Sequence, residues 1–151
     1  MNRWRSLIVF LLLAFAAGAI GSLATPDAWY AGLVKPSFNP PSAVFAPVWT
    51  ILYILMAAAA WRVYVRVGLD VAIVLWLVQL VFNAIWSPLF FGLHDVALAL
   101  ADIIVLLAFV LATTIAFARR DRLAFALMVP YLGWVSFATA LMIAIARLNP
   151  G

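Results

Sequence analysis

Six side chains of one apolar stretch, Trp76, Gln79, Asn83, Trp86, Ser87 and Phe90, recur at spacings of three and four. On a helix such spacings share one face, which sets amides and a hydroxyl among aromatic rings. Amides in hydrocarbon must find partners, so this face is expected to point into a bundle. Interhelical hydrogen bonding would satisfy it, and so would a pocket wall with a few polar groups. Phe45, Trp49 and Tyr53 repeat every four residues on a second stretch. Tyr131, Trp134, Ala138 and Leu141 follow at three or four on a third. Asp102 is the one acid inside an apolar stretch. A charge in hydrocarbon is costly and marks a functional position by default, so Asp102 reads either as an ion or ligand site or as a partner that locks two helices.

The groups of a conventional enzyme are missing. The chain has no cysteine, no glutamate and a single histidine, His94, in a short polar turn with Asp95. No cluster has metal-ligand spacing and no Ser/His/Asp set shares one site, so no metal site and no required cofactor is expected. No Gly-rich phosphate loop is present. A haem iron would lack an axial ligand within the apolar stretches, so a flat tetrapyrrole would have to be held by ring stacking.

The elements that must position these residues are transmembrane helices. Of the 151 residues 70% are hydrophobic and 9% charged, against about 45–50% and about 25% in a soluble domain. Lipid must therefore be the solvent, and an all-α bundle of five spans in one domain, 1–151, is expected. A span needs roughly 20 mostly apolar residues, and five stretches qualify: about 4–24, 43–67, 71–92, 96–118 and 123–147. The first resembles a signal peptide, with Arg3 and Arg5 before it and Ser22-Leu23-Ala24 after it. Its apolar run is longer than a usual signal core and no secreted domain follows, so it is expected to stay. Residues 25–42 carry Pro26, Pro36, Pro40 and Pro41, which forbid a regular helix. Loops this long are often functional, and Trp29, Tyr30 and Phe38 suit a lid that packs down as well as a solvated connector.

Seven arginines (3, 5, 62, 66, 119, 120 and 122) fall on the side of the N-terminus, and Lys35 and Arg147 on the other. That asymmetry predicts a cytoplasmic N-terminus, with the Pro-rich loop facing away. The net charge of +4 thus reads as topology and contact with anionic lipid headgroups, not as a nucleic-acid surface. Trp4, Trp29, Trp61 and Tyr64 fit interfacial belts. Trp49, Asn83, Asp102 and Ala138 all lie roughly 9–14 Å below the loop side at 1.5 Å per residue. A ligand cavity beneath a lid would look like this, provided the four faces meet. Ala14, Gly18 and Ser22 on the first span, and Ala108, Ala112 and Ala116 on the fourth, form small-residue stripes suited to internal packing or to a dimer.

Four stretches together resemble the TspO/MBR family, the tryptophan-rich sensory proteins and mitochondrial translocator proteins, also called peripheral benzodiazepine receptors. They are Trp29-Tyr30-Ala31-Gly32-Leu33-Val34-Lys35-Pro36-Ser37-Phe38-Asn39-Pro40-Pro41, Phe45-Ala46-Pro47-Val48-Trp49-Thr50-Ile51-Leu52-Tyr53, the run from Gln79 to Gly92, and Val129-Pro130-Tyr131-Leu132-Gly133-Trp134. The resemblance implies a five-helix bundle whose pocket is closed by the first loop, often as a homodimer. It implies binding of porphyrins such as protoporphyrin IX and of isoquinoline or benzodiazepine drugs. The pocket-lining residues carried over are Tyr30, Trp49, Tyr53, Asn83, Trp86, Ser87, Phe90, Trp134, Ala138 and Leu141. Trp49 and Trp134 match tryptophans tied to light-dependent porphyrin breakdown in some bacterial members. The sterol-recognition segment departs from the family: Leu141-Met142-Ile143 precede Arg147 without the usual aromatic, so weak sterol binding at best is expected.

The leading expectation is a membrane receptor or sensor in a bacterial cell membrane. The macrocycle would lie between Trp49 and Trp134 by offset stacking, Asn83 would bond a polar edge, and Lys35 would meet a propionate at the lid. A light- and oxygen-dependent porphyrin-degrading enzyme and a porphyrin or sterol transporter are the alternatives. The absence of a visible inverted repeat speaks against the transporter.

Overall fold

The computed structural model describes residues 2–150; Met1 and Gly151 lie outside the described residues. It contains α1 (Arg3–Gly21), α2 (Ala28–Ala31), α3 (Phe45–Val67), α4 (Val71–Ser87), α5 (Val96–Ala118) and α6 (Arg122–Leu148). A 3-10 turn, Ser42–Val44, leads into α3, and a π turn, Pro88–Gly92, extends α4. Five of these segments are long and apolar enough to cross a membrane, so the all-α five-span bundle is as expected. One difference is local. The loop holds a single helical turn, α2, because Asp27 caps it and the proline cluster begins only at Pro36.

Capping explains where the chain turns. Asp70 accepts from the Ala72 N–H, Asp95 from Leu98 and Asp121 from Leu123, and Asn2 does the same for α1. Each satisfies an N–H that the first helical turn leaves without a partner. Four of the five aspartates are thus helix caps, and the fifth is Asp102. Gly68, at φ 73°, ends α3 in the left-handed region.

The spans form a closed ring in which α1 touches α3 and α4, α4 touches α5, α5 touches α6, and α6 returns to α3. The ring order puts the faces of α3, α4 and α6 around one interior. The α1 stripe packs inward: Ala14 is fully buried, and a Cβ on Gly18 would sit 2.8 Å from Tyr53 Cε2. Only glycine lets the α1 backbone close on that ring. On α5 Ala108 is exposed and Ala112 and Ala116 are half-buried, so this stripe is not spent on the interior in the same way.

Candidate functional site beneath the first loop

Polar groups of α3, α4 and α6 meet in one hydrogen-bonded chain. The Tyr53 hydroxyl donates to Asn83 Oδ1 at 2.9 Å, and Asn83 Nδ2 donates to the Tyr131 oxygen at 3.0 Å. The Tyr131 hydroxyl donates to Gln79 Oε1 at 2.6 Å, and Gln79 Nε2 reaches Met56 Sδ at 3.8 Å. Gln79 and Tyr131 are fully buried and Asn83 nearly so. Such a chain is strong in a low-dielectric interior, where any unmet member would be costly. Both ends of the Asn83 amide are therefore engaged inside the protein, which makes this residue a brace for the two tyrosines.

Aromatic side chains cover the loop end of this chain. Trp49 lies between Tyr53, at 5.6 Å, and Tyr131, at 6.4 Å between ring centroids. Trp134 meets Phe45 of α3 at 5.9 Å and Phe137 at 5.5 Å, and Phe38 of the loop meets Phe137 at 6.1 Å. Trp86 stacks on Phe90 at 5.1 Å, and Tyr30 and Trp29 from the loop turn against Phe90. The edge-on and offset geometries are those aromatic quadrupoles favour. The Trp86 indole N–H is buried without a partner among the described residues.

The loop is tied down by side chains far away in sequence. Asn149 accepts the Val34 N–H at 2.9 Å and donates to the Val34 carbonyl at 2.8 Å. His94 bonds Asp27 at 2.8 Å, while its ring stacks on Trp29 at 4.5 Å. The Tyr30 N–H that Asp27 caps holds the Asp27 carboxyl below the usual carboxylate range, against a smaller desolvation effect, and His94 adds to the lowering. Lys35 Nζ lies 4.4 Å over the Tyr30 ring and donates to the Leu33 carbonyl at 3.2 Å.

The structure thus brings Tyr53, Asn83 and Trp49 together, and Tyr30, Lys35, Trp86 and Phe90 into a second group that includes the loop. Trp134 joins through Phe45, with half-buried Ala138 and buried Leu141 further along α6 toward the loop. Ser87 turns toward α1, its Oγ 3.8 Å from where a Gly21 Cβ would stand. Asp102 is buried on α5 with neither carboxylate oxygen hydrogen-bonded. Trp29, which the sequence suits both to an interfacial belt and to a lid that packs down, belongs to the loop cluster. The residues missed as site members are Tyr131 and Gln79, which the face pattern already contained, and His94, Asp27 and Asn149, for which spacing gave no signal.

Two surface cavities, of about 140 and 180 Å³, lie in the N-terminal half of the bundle and neither is beneath the loop. Under the loop the rings pack on one another. Among these rings the Trp86 N–H is the buried donor without a partner among the described residues. No group of His and acidic residues among those described could hold a metal ion.

Comparison with known proteins gives one consistent answer. Residues 9–148 match the TspO/MBR family. The chain is 44% identical over 146 residues to the tryptophan-rich sensory protein of Cereibacter sphaeroides, covering 97% of this chain and 92% of that one. It is 40% identical over 147 residues to the protein CrtK of Rhodobacter capsulatus, covering 95% and 92%. It is 39% identical over 128 residues to the human translocator protein, covering 82% and 76%.

Proposed function

The chain belongs to the TspO/MBR family, and from that premise we propose that it is a multi-pass membrane receptor or sensor for tetrapyrroles such as protoporphyrin IX. The observation that carries the reading is the buried, unpartnered Trp86 N–H amid aromatic rings beneath a loop held only by noncovalent ties. The macrocycle lies between Trp49 and Trp134, and Phe45 gives up its contact with Trp134 to admit it. Trp86 donates to a carbonyl or carboxylate of the ligand, Lys35 meets a propionate at the loop, and Asn83 holds Tyr53 and Tyr131 in place. Isoquinoline and benzodiazepine drugs use the same aromatic walls, and sterols bind weakly. The arginine asymmetry supports a cytoplasmic N-terminus in a bacterial cell membrane. The protein acts as a homodimer, and the outward-facing Ala108 gives α5 a surface suited to close helix approach.

The test is a titration of protoporphyrin IX in the dark, followed by tryptophan fluorescence, with Trp49→Phe and Trp134→Phe alongside. Saturable quenching that both substitutions weaken supports the stacked site. Equal behaviour of all three proteins removes it. The Lys35→Ala variant is expected to lose affinity for the free diacid but not for its dimethyl ester, and equal losses would take the propionate contact away from Lys35.

A further inference from the structure

The 140 Å³ cavity at the opposite end is lined by Arg3, Trp61, Arg62, Val65, Arg66 and Asp121. Three guanidinium groups meet there over one carboxylate, and that carboxylate already accepts three hydrogen bonds. Asp121 accepts from Arg62 Nε at 2.7 Å and Nη2 at 3.3 Å, and from the Leu123 N–H at 3.0 Å. Arg66 only approaches it, at 3.5 Å. Asp70, the other acid at this end, is taken by Arg120 at 2.6 Å. Arg3 makes no side-chain hydrogen bond among the described residues. Its guanidinium lies instead 5.3 Å from the Trp61 ring centroid and 5.8 Å from that of Trp4. These two indoles stack at 5.9 Å, and Trp61 Nε1 donates to the Arg3 carbonyl at 2.9 Å. The guanidinium is held over the indoles, and its N–H groups make no hydrogen bond among the described residues. Arg62 Nη1 is likewise unused.

We propose that this cavity binds the phosphate of an anionic phospholipid headgroup, with Arg3 and Arg66 as donors and the Trp4–Trp61 pair as its rim. Guanidinium forks match phosphate oxygens in a two-pronged geometry. Stacked indoles at helix ends mark the depth at which headgroups lie. Basic pockets between spans recognise such headgroups, and anionic lipid is concentrated on the side that positive residues select. The cavity is too small for a macrocycle and stands at the other end of the bundle from the loop, so this inference does not rest on the porphyrin reading. A free phosphate would use the same donors, and only the acyl chains distinguish the two sources.

Native mass spectrometry of the whole protein released from equimolar phosphatidylglycerol and phosphatidylcholine nanodiscs tests it. The protein is expected to retain phosphatidylglycerol preferentially. Arg3→Gln with Arg66→Gln should weaken apparent affinity by about 25-fold, at about fivefold per arginine. Arg119→Gln with Arg122→Gln removes the same charge from the same end outside the cavity and should retain lipid like the parent. Both altered pairs are exposed, and far-UV circular dichroism checks that they fold. Equal retention of the two lipids by the parent, or equal losses in both double variants, overturns the site in favour of diffuse charge. Inorganic phosphate, added in detergent without lipid, is expected to leave thermal stability unchanged. Stabilisation that Arg3→Gln with Arg66→Gln abolishes would keep the phosphate chemistry but overturn the lipid as its source.

Discussion

Asp121 and Asp102 are equally hidden, each 6% exposed, yet they are treated in opposite ways. Asp121, between α5 and α6, accepts from Arg62, from a backbone N–H and at longer range from Arg66. Asp102, two turns into α5, accepts from nothing among the described residues. The contrast extends to the ends of the bundle around them. The N-terminal end joins its helices through ions, with Arg62 to Asp121 and Arg120 to Asp70. The loop end joins them through neutral hydrogen bonds and rings; buried groups without a partner among the described residues stand in both halves, Trp86 and Asp102 toward the loop and the Trp76 indole N–H toward the other end. Unspent capacity in a dry interior costs free energy unless something supplies a partner. The two ends thus differ in how they use their acids: Asp121 and Asp70 are taken by arginines, and Asp102 by no hydrogen bond among the described residues.

The sharpest way to break this contrast is to spoil the neutral chain. Tyr131→Phe removes one hydroxyl but strands both Asn83 and Gln79, and is expected to destabilise the protein by about 2–4 kcal/mol. Thermal unfolding in detergent measures it. A loss below that of Arg120→Gln would mean that the chain does not brace the core. Asp121→Asn should cost about 2 kcal/mol, since it leaves Arg62 partly buried without its counter-charge. Its pH dependence carries a sign. Burial pushes the Asp121 carboxyl up, but donation from Arg62 and the Leu123 N–H, with the charges of Arg62 and Arg66, outweighs it and holds the carboxyl below its usual range. The folded state thus gains from this ionised group at pH values above the ordinary carboxylate range, and loses that gain as pH falls through the lowered value. The Asp121→Asn variant should show a flatter acid limb than the parent, and parallel limbs would refute the assignment.

Arg120→Gln should cost under about 1 kcal/mol, because its bridge to Asp70 is partly exposed, and added salt should shrink even that difference. Trp86→Phe sets the smallest stability change against a clear binding change. It keeps a ring on Phe90 and deletes an unsatisfied donor, so thermal stability should stay within about 0.5 kcal/mol of the parent. Protoporphyrin affinity should nevertheless fall severalfold. Unchanged affinity would show that the indole N–H does not face the ligand.

Much of this was legible in the residues themselves. Apolar runs and basic ends were enough to place five spans, because lipid permits few other ways to satisfy a backbone. The spacing of Gln79, Asn83, Trp86 and Phe90 announced an inward face, and the face is inward. Spacing along one helix says nothing of which helix stands opposite, so the partners of Asn83 were not legible and Tyr131 was passed over as a site residue. The ties of His94 to Asp27 and of Asn149 to Val34 join positions remote in sequence, and no periodicity encodes them. Ser87 was placed with the pocket by its spacing, yet packs against α1, because a helix face wide enough to hold Asn83 and Ser87 touches two neighbours.

Met56 gives the hydrogen-bonded chain a direction. A thioether sulfur can only accept, so the Gln79 amide must turn its N–H toward it and its oxygen toward Tyr131. Tyr131 must then donate to Gln79 and accept from Asn83, and Asn83 must offer its oxygen to Tyr53. One proton-less atom in the core thereby sets the polarity of every group up to the aromatic wall. The Tyr53 hydroxyl, its proton committed inward, presents only lone pairs outward. Any group that meets Tyr53 from outside therefore finds an acceptor there, an orientation written some distance away at Met56.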